Sequence, residues 1–404
     1  MKKDKNFLWN MIGTTLNSFL SLFLLIIVTR INGIEMSGSF SFIFTLTLIL
    51  QMFSNYGGRI YQVSDYKNEF SFQEYLGSRV KTSLLSIIFF IIMCFFYKFD
   101  LKLSVVAISL MALRLLETFS DVFYASFQKH NQLYKVGVSL TAKSLLILLL
   151  FLILEVITKN ILISSLGILL ASILVFAFYD LPNIRKIEEF KFIYNNRVYS
   201  QSKYIFMFGF ITQLILNVGR FIGMKTLDEV EIGYLGILMM IPTVMTLISG
   251  FIIQPEIVNL TKLYEKKKNE EFDKSLKNIS KTIIKFSILC IILAVTIGPF
   301  ALKILYQLDF NKYRLAFVLL ILAGTFNGIT TIYSNALTIF RKTKEQFNYY
   351  VVVLIINLVV SYLASLNFGL NGVIAALTMS MLIQSILFKL SYRGSLKWKK
   401  IIHL

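Results

Sequence analysis

Histidine and cysteine are among the rarest residues of this sequence, and acid is scarce beside base. Its 404 residues hold two histidines, two cysteines and 22 acidic side chains. His130 lies in a short polar turn and His403 stands next to the C-terminal residue, while Cys94 and Cys290 fall inside apolar runs. That spacing supplies neither a disulfide framework nor a metal cluster, and the cysteines read as small buried hydrophobes. A glycine-rich phosphate loop and a nucleophile–base set are also missing, which disfavours an enzyme. No polar block is long enough to form a separate soluble domain.

What fills the chain is hydrocarbon. Hydrophobic residues make up 56% of it and aromatics 15%, with a mean hydropathy of +0.70. A soluble domain averages roughly 45–50% apolar residues. A bilayer core takes about 20 apolar residues per spanning helix, and runs of that length recur throughout. The sequence predicts an all-α integral membrane protein with about twelve spans, at 9–29, 39–57, 82–97, 103–126, 136–157, 161–179, 204–223, 232–253, 282–302, 315–339, 347–366 and 371–388.

The net charge of +19 is a matter of placement. Segments 1–8, 58–81, 127–135, 180–203, 254–281, 340–346 and 389–404 carry 29 of the 41 basic residues, and the opposite loops carry 7. An excess of Lys and Arg marks the cytoplasmic side, so both termini are expected inside and the number of spans even. The basic charge is therefore a topology signal, and nucleic acid is not an expected partner. Lys2, Lys3 and Lys5 precede the first span as in a signal peptide, but the run continues into "TRINGIEMSG" without a cleavage site and reads as a retained helix.

The two halves echo each other at a spacing near 200 residues. "TRINGIEMSGSFSF" (29–42) aligns with "MKTLDEVEIGYLGI" (224–237), matching Arg30 to Lys225 and Gly38 to Gly233. "SFQKHNQLYKVGVSL" matches "IFRKTKEQFNYYVVV", and "NILISSLGILLASI" matches "NFGLNGVIAALTMS". Six spans per half with both ends inside make a parallel repeat. The expected division is an N-terminal six-helix bundle, 1–190, and a C-terminal one, 191–404, with the polar linker at 180–203. The second polar segment, 254–281, shows apolar faces at Ile257, Leu260, Leu263 and Tyr264 and at Phe272, Leu276 and Ile279, and is expected to lie as a helix on the cytoplasmic interface.

Polar stripes at helical spacing show which faces avoid lipid. They include Asn10, Thr14, Asn17 and Ser21 in span one, Thr47, Gln51, Ser54 and Asn55 in span two, Gln213, Asn217 and Arg220 in span seven, and Asn327, Thr331, Asn335 and Thr338 in span ten. Span four carries Arg114, Glu117 and Asp121 within about 60° of one another, at roughly 100° per residue. Helix–helix hydrogen bonding is the alternative reading for any single Asn. The stripes together, at repeat-equivalent positions, point to a wet cavity between the halves. Arg114 lies too deep to reach an interface easily, at a cost of about 2.5–3.5 kcal/mol on insertion scales. It is either one half of a self-satisfied pair with Glu117 or a cation facing the cavity, with Glu117 and Asp121 as candidates for proton or sodium coupling. Lys143 and Arg220 are further candidate cavity cations, with snorkelling to the inner and to the outer interface as their respective alternative readings. Arg30, at the outer mouth, and Arg59, at the inner, read as flanking anchors or as parts of a basic path.

The sequence resembles the polysaccharide flippases, the Wzx-type lipid-linked oligosaccharide exporters of the multidrug/oligosaccharidyl-lipid/polysaccharide superfamily. The likeness rests on "VTRINGIEMSGSFSF" and "VEIGYLGI", on "SNYGGR" after span two, on "LETFSDVFYASFQKHNQ" across span four and on "GLNGVIAAL" opening span twelve. It implies two MATE-like six-helix bundles in a bacterial inner membrane, with no cofactor. The implied cargo is an undecaprenyl-diphosphate-linked glycan of O-antigen (lipopolysaccharide) or capsule type, carried from the cytoplasmic to the outer leaflet. The implied partners are membrane lipids and glycan polymerase or chain-length proteins. By position, Arg114 matches the family's diphosphate-binding role. The family's basic residue in span eight has no counterpart in 232–253, and Arg220 in span seven stands nearest to it. Arg is suited to a diphosphate by its planar fork, and an inside-negative potential drives anions outward by about 2.3 kcal/mol per charge per 100 mV. The rival readings are a multidrug cation exporter, which needs an acidic cavity, an integral-membrane glycan-assembly enzyme, which needs a larger outer loop or an intramembrane acid/base pair, and a scaffold.

Overall fold

A computed structural model describes residues 2–65, 68–340 and 342–402, and every regular element among them is helical. His403 lies outside the described residues. The chain packs as two compact units, Met1–Gln213 and Leu214–Leu404. The first comprises α1 (Lys2–Asn55), α2 (Gly58–Ser64), α3 (Phe72–Tyr97), α4 (Leu101–Lys129), α5 (Leu133–Thr158), α6 (Ile161–Val175), a π-helical turn (Phe176–Asp180) and α7 (Leu181–Ile184). The division falls inside α8 (Asn196–Thr226), beyond the polar linker. The second unit continues with α9 (Glu229–Leu238), α10 (Met240–Glu265), α11 (Asn269–Thr296), α12 (Gly298–Tyr306), a 3₁₀ turn at 311–313, α13 (Arg314–Ile339) and α14 (Thr343–Ile402).

Ten stretches of the described residues are long and apolar enough to cross a membrane. Two of them, α1 and α14, are 54 and 60 residues long. α1 breaks at Gly33 (φ 89°) and α14 at Gly369 (φ 55°), backbone that an L side chain adopts only with strain. The breaks fall where the sequence ends one expected span and opens the next. Elsewhere side chains start the helices. Ser71 and Glu74 form a reciprocal capping box at α3, and Asp100 and Asp228 accept the N–H groups of Leu103 and Glu231, each at 2.7 Å.

Outward faces are apolar. Ile88, Ile92 and Phe95 on α3, Leu149, Ile153 and Val156 on α5 and Ile355, Val359 and Leu363 on α14 all stand exposed at helical spacing. Such faces are at home against acyl chains and not in water. Inside the first unit α1 and α5 touch backbone to backbone: a Cβ on Gly137 would lie 2.1 Å from the Trp9 carbonyl oxygen, and one on Gly13 would lie 2.3 Å from that of Gly137. Small residues let membrane helices approach this closely.

Segment 254–281 corrects an expectation. It forms no separate surface helix: α10 continues through Pro255 to Glu265, the chain turns at 266–268, and α11 begins at Asn269. Its apolar residues are covered by the second unit itself. Phe272 stacks on Phe340 at 5.6 Å, Phe340 on Tyr392 at 5.8 Å, and Leu260 and Leu276 are buried. The amphipathic pattern is that of a helical hairpin with a core side.

Candidate functional site

The second arm of α1, after Gly33, runs beside α4 and supplies half of a charged cluster. Arg114 Nη1 donates to Glu117 Oε2 at 2.7 Å, one turn away on α4. Gln51 on α1 donates to the same carboxylate oxygen at 3.0 Å, and the Arg114 guanidinium lies 4.4 Å from the centre of the Phe44 ring. The Arg114 side chain is 7% exposed and that of Glu117 13%. The Arg114 Nε and Nη2 atoms are buried and have no hydrogen-bond partner among the described residues. A guanidinium has five N–H donors, so this one is only partly used.

At the C-terminal end of α1, Gly57 (φ 86°) and Gly58 (φ 50°) turn the chain sharply into α2. That turn aims the Arg59 backbone N–H at Asp121 Oδ2, 3.0 Å away, while Arg59 Nε and Nη2 donate to Gln128 Oε1 at 2.9 and 2.6 Å. The carboxylate also feels the charge of Arg79, which is 2% exposed at the start of α3. Arg79 went unnoticed as one loop cation among many, and only packing shows it to be interior. Hydroxyls hold α3 on α1 here: Thr82 Oγ1 donates to the Ser54 carbonyl and Ser86 Oγ to that of Leu50, at 2.5 and 2.8 Å.

Lys143 is a correction. It was expected at the cavity, but its side chain is 1% exposed and lies 3.9 Å from Asp180, itself fully buried. Ser120 and Ser139 donate to the two Asp180 oxygens at 2.8 and 2.6 Å, Tyr124 bonds to Ser139, and Lys143 is 3.4 Å from Ser120 and 3.5 Å from the Tyr124 hydroxyl. This closed network joins α4, α5 and the π-helical turn, which presents Asp180. Asp180 was hidden in sequence because it sits where span six runs into the polar linker.

In the second unit Arg220 donates through Nη1 to Asn217 Oδ1 at 3.1 Å and through Nη2 to the Gly236 carbonyl at 3.4 Å. Asn327 is buried and donates to Thr246 Oγ1 at 3.1 Å, so it joins α13 to α10. Gln213, Asn217 and Asn335 are half-buried. On the first arm of α1, Asn17 is half-buried and Arg30 exposed. The structure thus unites Arg114, Glu117 and Gln51, then Arg59 with Asp121, and Arg220 with Asn217.

Outside the membrane, burial pushes the Asp65 carboxyl up. The N–H groups of Glu69 and Phe70, the Tyr75 hydroxyl and the charge of Lys129 more than offset that and hold it below the usual carboxylate range.

No family model matches the chain. A capsular polysaccharide biosynthesis protein, CapF, of Staphylococcus aureus is 23% identical over 402 residues, covering 96% of this chain and 99% of that protein. Among solved structures, the lipid II flippase MurJ in an inward closed conformation aligns with a TM-score of 0.73 and 17% identity, over 95% of this chain and 87% of that one. An inward-facing multidrug resistance MATE family transporter of the MOP superfamily aligns with a TM-score of 0.76 and 11% identity, over 97% and 99%. The structural likenesses establish the fold, and the sequence likeness runs the full length of both proteins. The chain thus has the multi-span helical fold of MurJ and of the MATE family transporters, and along its full length it is similar to a capsular polysaccharide biosynthesis protein.

Proposed function

We propose that the protein moves undecaprenyl-diphosphate-linked sugar units from the cytoplasmic to the outer leaflet by alternating access, with Arg114 as the residue that takes the diphosphate. The observation that carries this reading is the pair of unused donors on Arg114. A purely structural buried cation ends up satisfied, as Lys143 does beside Asp180, Ser120 and Tyr124. Arg114 keeps Nε and Nη2 unbonded at membrane depth, and an unmade bond to a buried donor costs about 1–3 kcal/mol. An anionic ligand in another conformation supplies the missing acceptors, and phosphate oxygens match the guanidinium fork. Arg220 and Arg59 are secondary anion contacts, while Gln51, Asn17, Gln213, Asn217 and Asn335 offer amides to sugar hydroxyls. The likeness to a capsular polysaccharide protein favours a surface glycan over a cationic drug.

The test is complementation of a strain that lacks the protein, with inner-leaflet lipid-linked precursor as the readout. Arg114→Ala is expected to cause its build-up, and Arg114→Lys to restore export in part because it keeps the charge without the fork. Normal export by a well-folded Arg114→Ala variant sinks the proposal and leaves a scaffold as the better account.

A further inference from the structure

The two sides of α11 carry opposite chemistry. At roughly 100° per residue, Phe272, Leu276, Ile279, Ile283 and Ser287 share one side, and all five are buried in the second unit. The other side is open. Lys274, Lys277, Lys281 and Lys285 are exposed, and their spacing places them within an arc of about 80°. Toward the C-terminal end of the helix the same arc continues as Ile288 and Ile292, which stand 53% and 55% exposed. A lysine stripe thus passes into a bare isoleucine stripe with no change of face.

The isoleucines fix the level of the lysines. Apolar side chains so exposed are at home against acyl chains, so Ile288 and Ile292 lie in the hydrocarbon and the lysines stand at its edge. From Lys274 to Lys285 the helix rises by about 16 Å, whereas one headgroup layer is about 5–8 Å deep. The stripe therefore brackets the plane of lipid phosphates, with Lys285 below it and Lys274 above. Long lysine stems let both ammonium groups lean toward that plane.

Protein acid leaves most of this charge unmet. Among the described residues Lys277 alone of the four has an acidic partner, Asp273 at 2.7 Å. A lysine in water needs none, but Lys285 stands one turn from Ile288 and next to Ile284, itself 42% exposed. A charge at that depth calls for a counter-charge. Whatever supplies it meets ammonium groups first and isoleucine beneath them. An acidic soluble protein would match the lysines and leave the isoleucines bare. A lipid with a net negative headgroup matches both, in the right order.

We propose that the outward face of α11 binds an acidic phospholipid, its phosphate held by Lys277, Lys281 and Lys285 and its acyl chains lying on Ile288 and Ile292. Lysine takes a phosphate as a point charge and needs no fixed fork geometry, which suits a mobile headgroup. The lipid belongs to the surrounding bilayer, so the inference is independent of the cargo reading and is measured without cargo.

The experiment follows the thermal midpoint of the purified protein in phosphatidylcholine nanodiscs that carry rising fractions of phosphatidylglycerol. A ligand that binds only the folded state raises the midpoint saturably. Wild type is expected to gain several degrees and then level off. The variant Lys277→Gln/Lys281→Gln/Lys285→Gln is expected to match wild type in pure phosphatidylcholine and to lose the gain. Lys262→Gln/Lys266→Gln/Lys267→Gln removes the same charge from the hairpin tip and is expected to keep it. If the first triple variant does not fold, Lys281→Gln decides, and is expected to need about fivefold more phosphatidylglycerol for the same gain. Three results overturn the proposal. They are a wild-type midpoint indifferent to phosphatidylglycerol, as for a face made for an acidic protein, equal loss in the two triple variants, and the same gain from inorganic phosphate in pure phosphatidylcholine.

Discussion

The backbone N–H of Arg59 donates to the side chain of Asp121 across 3.0 Å, tying the turn that ends α1 to α4. The bond depends on two consecutive glycines in left-handed backbone, and a Cβ on Gly57 would meet that of Ser202 at 2.9 Å. Gly57→Val is expected to destabilise the protein by about 1–3 kcal/mol through backbone strain alone, read as a lower thermal midpoint in detergent. Asp121→Asn keeps an acceptor oxygen and is expected to cost less than Asp121→Ala. A Gly57→Val midpoint equal to wild type contradicts this account.

Lys143 and Asp180 form a fully buried pair, 3.9 Å apart. Removing one partner of such a pair leaves an uncompensated charge and costs about 3–5 kcal/mol. Lys143→Met is therefore expected to lower expression and melting temperature sharply, and Lys143→Met with Asp180→Asn to recover much of the loss. Equal destabilisation by the single and the double variant, in a double-mutant cycle, speaks against the coupling.

Asp65 supplies a pH dependence at the turn after α2. Its carboxyl is held below its ordinary range chiefly by the Glu69 and Phe70 N–H groups, at 2.9 and 3.1 Å, and by the Tyr75 hydroxyl at 3.1 Å, against the upward pull of burial. A group whose folded value is depressed contributes stability above its unfolded value, about 3.9, and loses it as pH falls through the folded one. Tyr75→Phe removes one donor, so the variant is expected to be the less stable at neutral pH and the gap to narrow as pH falls below the unfolded value of about 3.9. A gap between the two that stays constant from pH 7 to pH 3 tells against the bond.

Much of the architecture was legible before any coordinates. A span needs length and hydrophobicity, both local properties, so the helices appear where the apolar runs do, and "RINGIEM" and "LNFGLNG" announce the breaks at Gly33 and Gly369. The polar stripe of span four was also legible, and the structure keeps Arg114 and Glu117 together because their i,i+3 spacing makes them neighbours on any helix. Segment 254–281 misled because an amphipathic pattern says that one face is covered without saying by what. Phe340 and Tyr392, far along the chain, are what cover Phe272.

By itself the sequence determined the solvent, the helical class, the likeness to polysaccharide flippases and the residues able to carry charge into a bilayer. Those follow from composition and from spacing within single helices. Only the tertiary structure decided which charges are matched. Lys143 is neutralised by a turn more than thirty residues away, Arg79 is interior, and Arg114 keeps two donors in hand. Pairing is a property of distances between helices, and no periodicity within one helix records it.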